Sequence, residues 1–148
     1  MDAVDSERLQ RVEAIFRKAP FLENLGVKFL GCGPGWCESG LQVQNYHKQQ
    51  NRLVHAGVLA TLADHTAGAA AGTLIAPGEI VLTVEFKINL LRPGKGQSLR
   101  ARAQVLKPGR RLSVVESEVF AKDGEQESLV AKATVTLAVL ADFKEDAG

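Results

Sequence analysis

Residues 54–75 read VHAGVLATLADHTAGAAAGTLI. Almost every position is apolar, and most of the apolar side chains are small. A helix that is apolar all round must be covered all round, so this segment predicts a central helix around which the rest of the chain is wrapped. Asp64 and His65 interrupt its middle and His55 stands at its start. A carboxylate among apolar neighbours is costly unless it is hydrogen-bonded, paired or put to use.

Upstream, residues 5–18 have the pattern of an amphipathic helix. Asp5 or Ser6 suits the N-cap, Leu9, Val12, Ile15 and Phe16 recur at helical spacing, and Pro20 ends it. Residues 21–25 form a short turn placing Phe21 and Leu22 on the core. Val27, Phe29 and residues 36–43 predict a bent strand region broken by GCGPG. A polar loop, NYHKQQNR at 45–52, leads into the helix.

Downstream, Pro77-Gly78 turns the chain into four strand-like runs. In residues 79–91, Ile80, Leu82, Val84, Phe86, Ile88 and Leu90 share one face, and Thr83, Glu85, Lys87 and Asn89 the other. Residues 98–106 turn Leu99, Ala101, Ala103 and Val105 inward. Residues 111–121 form a third run, Asp123-Gly124 signals a hairpin, and residues 128–140 put Leu129, Ala131, Ala133, Val135, Leu137 and Val139 on one face. Residues 142–148 read as a loose polar tail.

The expected architecture is α+β: one domain over 1–148, core about 26–140, with an antiparallel sheet of five or six strands, its last four a meander, wrapped around the long helix. One sheet cannot surround a helix, and it leaves an edge. Ala56, Ala60, Ala63, Ala67, Gly68 and Ala71 would admit another backbone, and a two-fold dimer joined through the sheet edge meets both needs.

His55 and Asp64 are nine residues apart, hence on opposite sides of the helix and ~13 Å apart along it. One chain cannot apply both to one bond. Antiparallel helices in a dimer bring His55 of one protomer to Asp64 of its partner, giving two shared sites. At the helix start, first-turn amides lack intrahelical acceptors and carry the positive end of the helix dipole, which suits an oxyanion. Ala56 and Gly57 leave room for a carbonyl. Asp64 reads as general base or nucleophile, its apolar setting expected to raise its pKa. His65 reads as a satisfied core or interface histidine.

Bulk properties bound the rest. The chain has 148 residues, 45% hydrophobic and 24% charged, with a formal net charge of +1, so no basic field suits nucleic acid or an anionic membrane. Cys32 and Cys37 form no CxxC pair and the histidines no metal-ligand spacing, so they read as ordinary thiols. The N-terminus lacks a signal-peptide core, and the charge in the central segment excludes a membrane span. The expected location is the cytoplasm.

HAGVLATLADHTAG at 55–68, followed by LTVEFKINLLRP at 82–93, resembles the hotdog-fold acyl-CoA thioesterases of the PaaI type (phenylacetic acid degradation protein-like), over about residues 40–140. The resemblance implies a hotdog fold and hydrolysis of an acyl-CoA to free acid and CoA without metal or other cofactor; the expected dimer would pair again into a tetramer. The family's helix-borne acid matches Asp64. Its His-Gly-Gly helix start matches His55, Ala56 and Gly57, and Ala56 keeps the N–H that polarises the thioester carbonyl. Gln49 replaces an Asn six residues before the His, with Asn51 a competitor for its polar task, and Arg52 replaces a frequent Gly. Thr83 matches a Ser or Thr beside the acid. Residues 91–93 are similar to a strand end near the CoA entrance. Arg92 and Arg110, with Lys95 and Arg111 near them, are candidates to hold CoA phosphates. Two other readings compete: a non-catalytic acyl-CoA sensor, which would not need Asp64, and a hotdog dehydratase, whose His–acid setting differs.

Overall fold

The computed structural model describes residues 4–141, so the expected loose tail at 142–148 lies outside the described residues. The order is α1 Ser6–Arg17, α2 Pro20–Leu25, β1 Lys28–Gly33, β2 Trp36–Gln42, a 3₁₀ turn Asn45–His47, α3 Ala56–Gly72, β3 Ile80–Leu90, β4 Ser98–Lys107, β5 Leu112–Asp123 and β6 Gln126–Leu140. Asp5 caps α1, its carboxylate accepting the Arg8 N–H at 2.8 Å. Pro20 ends α1 and also opens α2, where its missing N–H costs nothing. Leu22 enters the core at 4% exposure, but Phe21 stays outside at 61%, because one turn of helix presents only one of two neighbours inward. Cys32 and Cys37 face one another across the β1–β2 turn as free thiols, and burial pushes both above the ordinary thiol range.

All six strands form one antiparallel sheet in the order β1-β2-β4-β5-β6-β3. The expected four-strand meander is corrected here. β4, β5 and β6 do follow one another, but β3 pairs with β6 at the sheet edge and β4 pairs with β2. The 91–97 connection is too long for a tight hairpin, and it crosses the end of the sheet past the start of α3. α3 lies on the concave face, with Leu62, Ala63, Ala67, Ala69 and Ala70 fully buried.

Two expectations about faces also change. The small residues Ala63, Ala67 and Ala71 are covered by the chain's own sheet, so that part of the stripe offers no surface to another molecule. Part of the remaining helix face is closed by α1, whose Ile15 carbonyl receives His65 Nε2 at 3.2 Å. A Cβ on Gly72 would sit 3.9 Å from Val12 Cγ2.

The second change is a bulge. β3 is in register with β6 at Thr83↔Leu137 and again at Glu85↔Thr136, leaving Val84 unpaired. An extra residue reverses the faces of a strand. After the bulge, Phe86, Ile88 and Leu90 lie opposite the inward Val135, Ala133 and Ala131, as expected. Before it, Thr83 lies opposite the buried Leu137 and turns toward α3, while Ile80 and Leu82 move to the other face. β3 is barely covered: Leu82, Val84 and Phe86 are 50%, 59% and 41% exposed. In β6, a second bulge against β5 turns Val130 inward in place of the expected Leu129. Among the described residues, no helix is long and apolar enough to cross a membrane.

Candidate functional site

Two clefts flank α3. The first lies at its start. Backbone bonds fix that start from both sides, Val54 N–H to the Gly94 carbonyl and His55 N–H to the His47 carbonyl, each 2.9 Å. Gly94 is needed for the approach, since a Cβ there would lie 2.9 Å from Val54 Cβ. His55 is the N-cap: its Nδ1 accepts the Gly57 N–H at 2.8 Å. An imidazole nitrogen that accepts carries no proton, so in the neutral ring the proton sits on Nε2, free to donate elsewhere. The amides of Val58 and Leu59 go to the His55 carbonyl. Ala56 N–H is therefore the first-turn amide without an acceptor among the described residues. The neighbouring Gly57 amide is already occupied by the cap. The cleft beside Ala56 has a volume of about 560 Å³, with Gln49, His55, Leu90 and Arg92 on its walls.

The second cleft lies beside the middle of α3 and holds about 570 Å³. Asp64 and Thr83 stand in it together, the Thr83 hydroxyl donating to Asp64 Oδ1 at 2.6 Å. The bulge at Val84 makes this contact possible. Asp64 is half-buried, so the picture of a carboxylate enclosed by apolar helix neighbours gives way to one that faces an open cleft with a hydroxyl donor. His65, next to it, turns the other way and meets the Phe16 ring edge-on at 4.7 Å. Burial pushes its pKa below the ordinary imidazole value, and the ring stays neutral.

The two clefts thus offer different chemistry: a free amide at a helix start, and a carboxylate fixed by a hydroxyl. The model of the Thioesterase superfamily matches residues 51–128, more than half of the chain and including both groups. The chain belongs to the thioesterase superfamily. A thioesterase family protein from Silicibacter pomeroyi has a structure similar to this one, with a TM-score of 0.87 and 36% identity over 89% of this chain and 97% of that one. A Bacillus halodurans protein whose structure was solved with CoA is 31% identical, with a TM-score of 0.66 over 70% of this chain and 66% of that one. The 1,4-dihydroxy-2-naphthoyl-CoA hydrolase of Listeria monocytogenes is 28% identical over 79% of this chain and 93% of that protein. The fold is the hotdog fold of this superfamily.

Within this thioesterase-superfamily chain, the remaining candidates separate. Gln49 lines the helix-start cleft, and its side-chain carbonyl accepts the Asn51 N–H. Asn51 is therefore support for Gln49 and stands off the cleft. Arg92 lines the same cleft, with Nη1 held by the Leu129 carbonyl at 2.8 Å. Arg110 lies in the β4–β5 turn, at the end of the sheet where β3 begins, and is brought to neither His55 nor Arg92 within one chain. Two residues escaped sequence reasoning. His47, read as a loop residue, is 1% exposed, with Nδ1 accepting the Gln44 N–H at 2.8 Å and Nε2 donating to the Leu25 carbonyl at 2.7 Å. Its carbonyl then positions His55. Arg11, from α1, lines the Asp64 cleft. The helical spacing of α1 marked its apolar face but gave no sign of what Arg11 would meet.

Proposed function

We propose that this protein is an acyl-CoA thioesterase of the PaaI type, acting as a two-fold homodimer with two shared sites, paired again into a tetramer, in the cytoplasm. The observation that carries the reading is the division of the chemistry between two clefts on opposite sides of α3, beside an edge strand whose apolar side chains are exposed. Pairing β3 with β3 of a second copy covers that edge and sets the helices antiparallel. The helix start of one protomer then faces the Asp64 cleft of the other. The Bacillus halodurans structure with CoA and the Listeria hydrolase of a CoA thioester support acyl-CoA as the substrate class.

In this reading Ala56 N–H holds the thioester carbonyl oxygen as it gains charge. Asp64 of the partner takes a proton from the attacking water, with Thr83 fixing the carboxylate. The C–S bond breaks, the carboxylic acid leaves on one side, and the CoA sulfur departs with a proton. Gln49 and His55 Nε2–H orient carbonyl and water, while Arg92 and the partner's Arg110 lie where CoA phosphates would enter. No metal or cofactor takes part.

Mixing two dead variants tests both the reaction and the shared site. Asp64→Asn removes the base. Ala56→Pro removes only the amide hydrogen, at a first-turn position where proline fits. Each alone is expected to release almost no thiol from acyl-CoA. Refolded together in equal amounts, half the dimers are mixed and each has one intact site, so about a quarter of wild-type activity returns. A mixture as inactive as its components would overturn the shared site, and undiminished release by Asp64→Asn alone would overturn the mechanism.

A further inference from the structure

The Asp64 cleft is a trough with a defined far end. α1 runs antiparallel to α3 along it: the Ile15 carbonyl meets His65 beside Asp64, and Val12 lies over Gly72. From Asp64 to Gly72 is eight residues, ~12 Å of helix. The walls between are apolar, from Val12, Ile15, Ile75, Val81 and Leu137. The floor includes Gly68 and Gly72, which keep it open. At the Gly72 end the lining turns polar, with Arg11 and Glu79. The Arg11 side chain makes no hydrogen bond or ion pair among the described residues. Glu79 spends one carboxylate oxygen on the Ala76 N–H at 2.8 Å.

A guanidinium that lines the end of an apolar trough with no acceptor of its own is a donor open to a ligand that reaches it. The ligand must also suit Glu79. A terminal carboxylate would pair with Arg11 but meet the negative charge of Glu79. A hydroxyl suits both: its oxygen accepts from Arg11 and its hydrogen donates to Glu79. Resting on the thioesterase reading above, we infer that the trough selects an acyl group with an apolar body and a hydroxyl at its far end, Arg11 and Glu79 reading the hydroxyl and Gly72 setting the length.

The test compares kcat/KM for octanoyl-CoA, ω-hydroxyoctanoyl-CoA and the same-length chain ending in a carboxylate, in wild type, Arg11→Met and Gly72→Leu. Wild type is expected to prefer the hydroxyl over the plain chain about tenfold and to disfavour the carboxylate. Arg11→Met brings the hydroxyl-to-plain ratio close to one. Gly72→Leu lowers the ratio of octanoyl- to butanoyl-CoA turnover. Binding of the non-hydrolysable octyl- and ω-hydroxyoctyl-CoA thioethers asks the same question without turnover. A preference in thioether binding with no thiol release from any thioester would keep this inference and sink the hydrolase reading. Thiol release with no preference, a preference that survives Arg11→Met, or a faster carboxylate substrate would overturn the inference itself.

Discussion

The start and the middle of α3 reach their chemistry by different means. At the start, the proposed functional group is a backbone amide, set by four other backbone bonds and a cap, so on this mechanism the side chain at position 56 should hardly matter. In the middle, the proposed functional group is one carboxylate, set by one hydroxyl from a strand that is bulged to deliver it. The first half is expected to tolerate replacement of its side chain but not of its N–H. The second half is expected to tolerate almost nothing at its acid. On the proposed mechanism that contrast would let an alanine stand where the resembled family has glycine, with no comparable latitude at Asp64.

Substitution can break the contrast directly. Asp64→Asn is expected to lower kcat about a thousandfold, the usual scale for losing a positioned base. Ala56→Pro, which deletes the amide hydrogen, should cost about a hundredfold or more. Ala56→Gly keeps the N–H and should change kcat less than any of these. Thiol-release kinetics on one acyl-CoA rank all three. If Ala56→Gly were as damaging as Ala56→Pro, the side chain and not the amide would be the working part. Thr83→Val keeps the shape of the strand and removes the hydroxyl, and a drop of about tenfold is expected from a loosened carboxylate. An unchanged rate would show that Asp64 is held by its helix alone.

The two neighbours at the middle of the helix, Asp64 and His65, sharpen the comparison in another way. Asp64 faces the cleft, whereas His65 is shielded by Phe16 and bound to the Ile15 carbonyl. Burial lowers the folded-state pKa of His65 from its ordinary 6.5. The unfolded chain therefore binds the proton first, so the stability His65 allows at neutral pH is lost as pH falls through and below that ordinary value. Urea midpoints measured at neutral and at mildly acidic pH should fall for wild type, and the fall should be smaller for His65→Gln. Equal falls would mean that His65 does not carry this dependence.

How far the sequence foretold this arrangement depends on the range of the interaction. The long helix, the capped α1 and the strand periods are local, and they were legible residue by residue. Even the separation of His55 from Asp64 followed from helix geometry. The bulge was not legible, because LTVEFKINL continues its alternation through Val84 without a glycine or other mark. Only the pairing with β6 shows that the face changes there. That is why Thr83 could be placed on the outer face by periodicity and yet belong to the site by resemblance. The insertion of β4 beside β2, the covering of α3 by α1 and the burial of His47 in a polar loop depend on contacts distant in sequence, which no local pattern encodes.

The smallest expected effect lies just before the helix start. Arg52 has φ of 67°, the left-handed region that costs an L-residue about 1–2 kcal/mol and glycine nothing. The strain is kept because the loop must close: Arg52 N–H reaches the Gln49 carbonyl at 2.9 Å and Gln49 N–H reaches the Leu53 carbonyl at 2.8 Å. Arg52→Gly relieves the strain but also frees the unfolded chain, so a net gain of about 0.5–1 kcal/mol in urea unfolding is expected. Arg52→Val, β-branched at the same φ, should lose more than that. The backbone at 56 would keep its place in Arg52→Gly, and kcat with it. If KM for acyl-CoA rose in Arg52→Gly while stability also rose, the guanidinium would be holding substrate phosphate, and the strained loop would be retained for its charge. If KM stayed put, Arg52 is strain without a role at the site, and the helix start is fixed by its backbone bonds and the His55 cap.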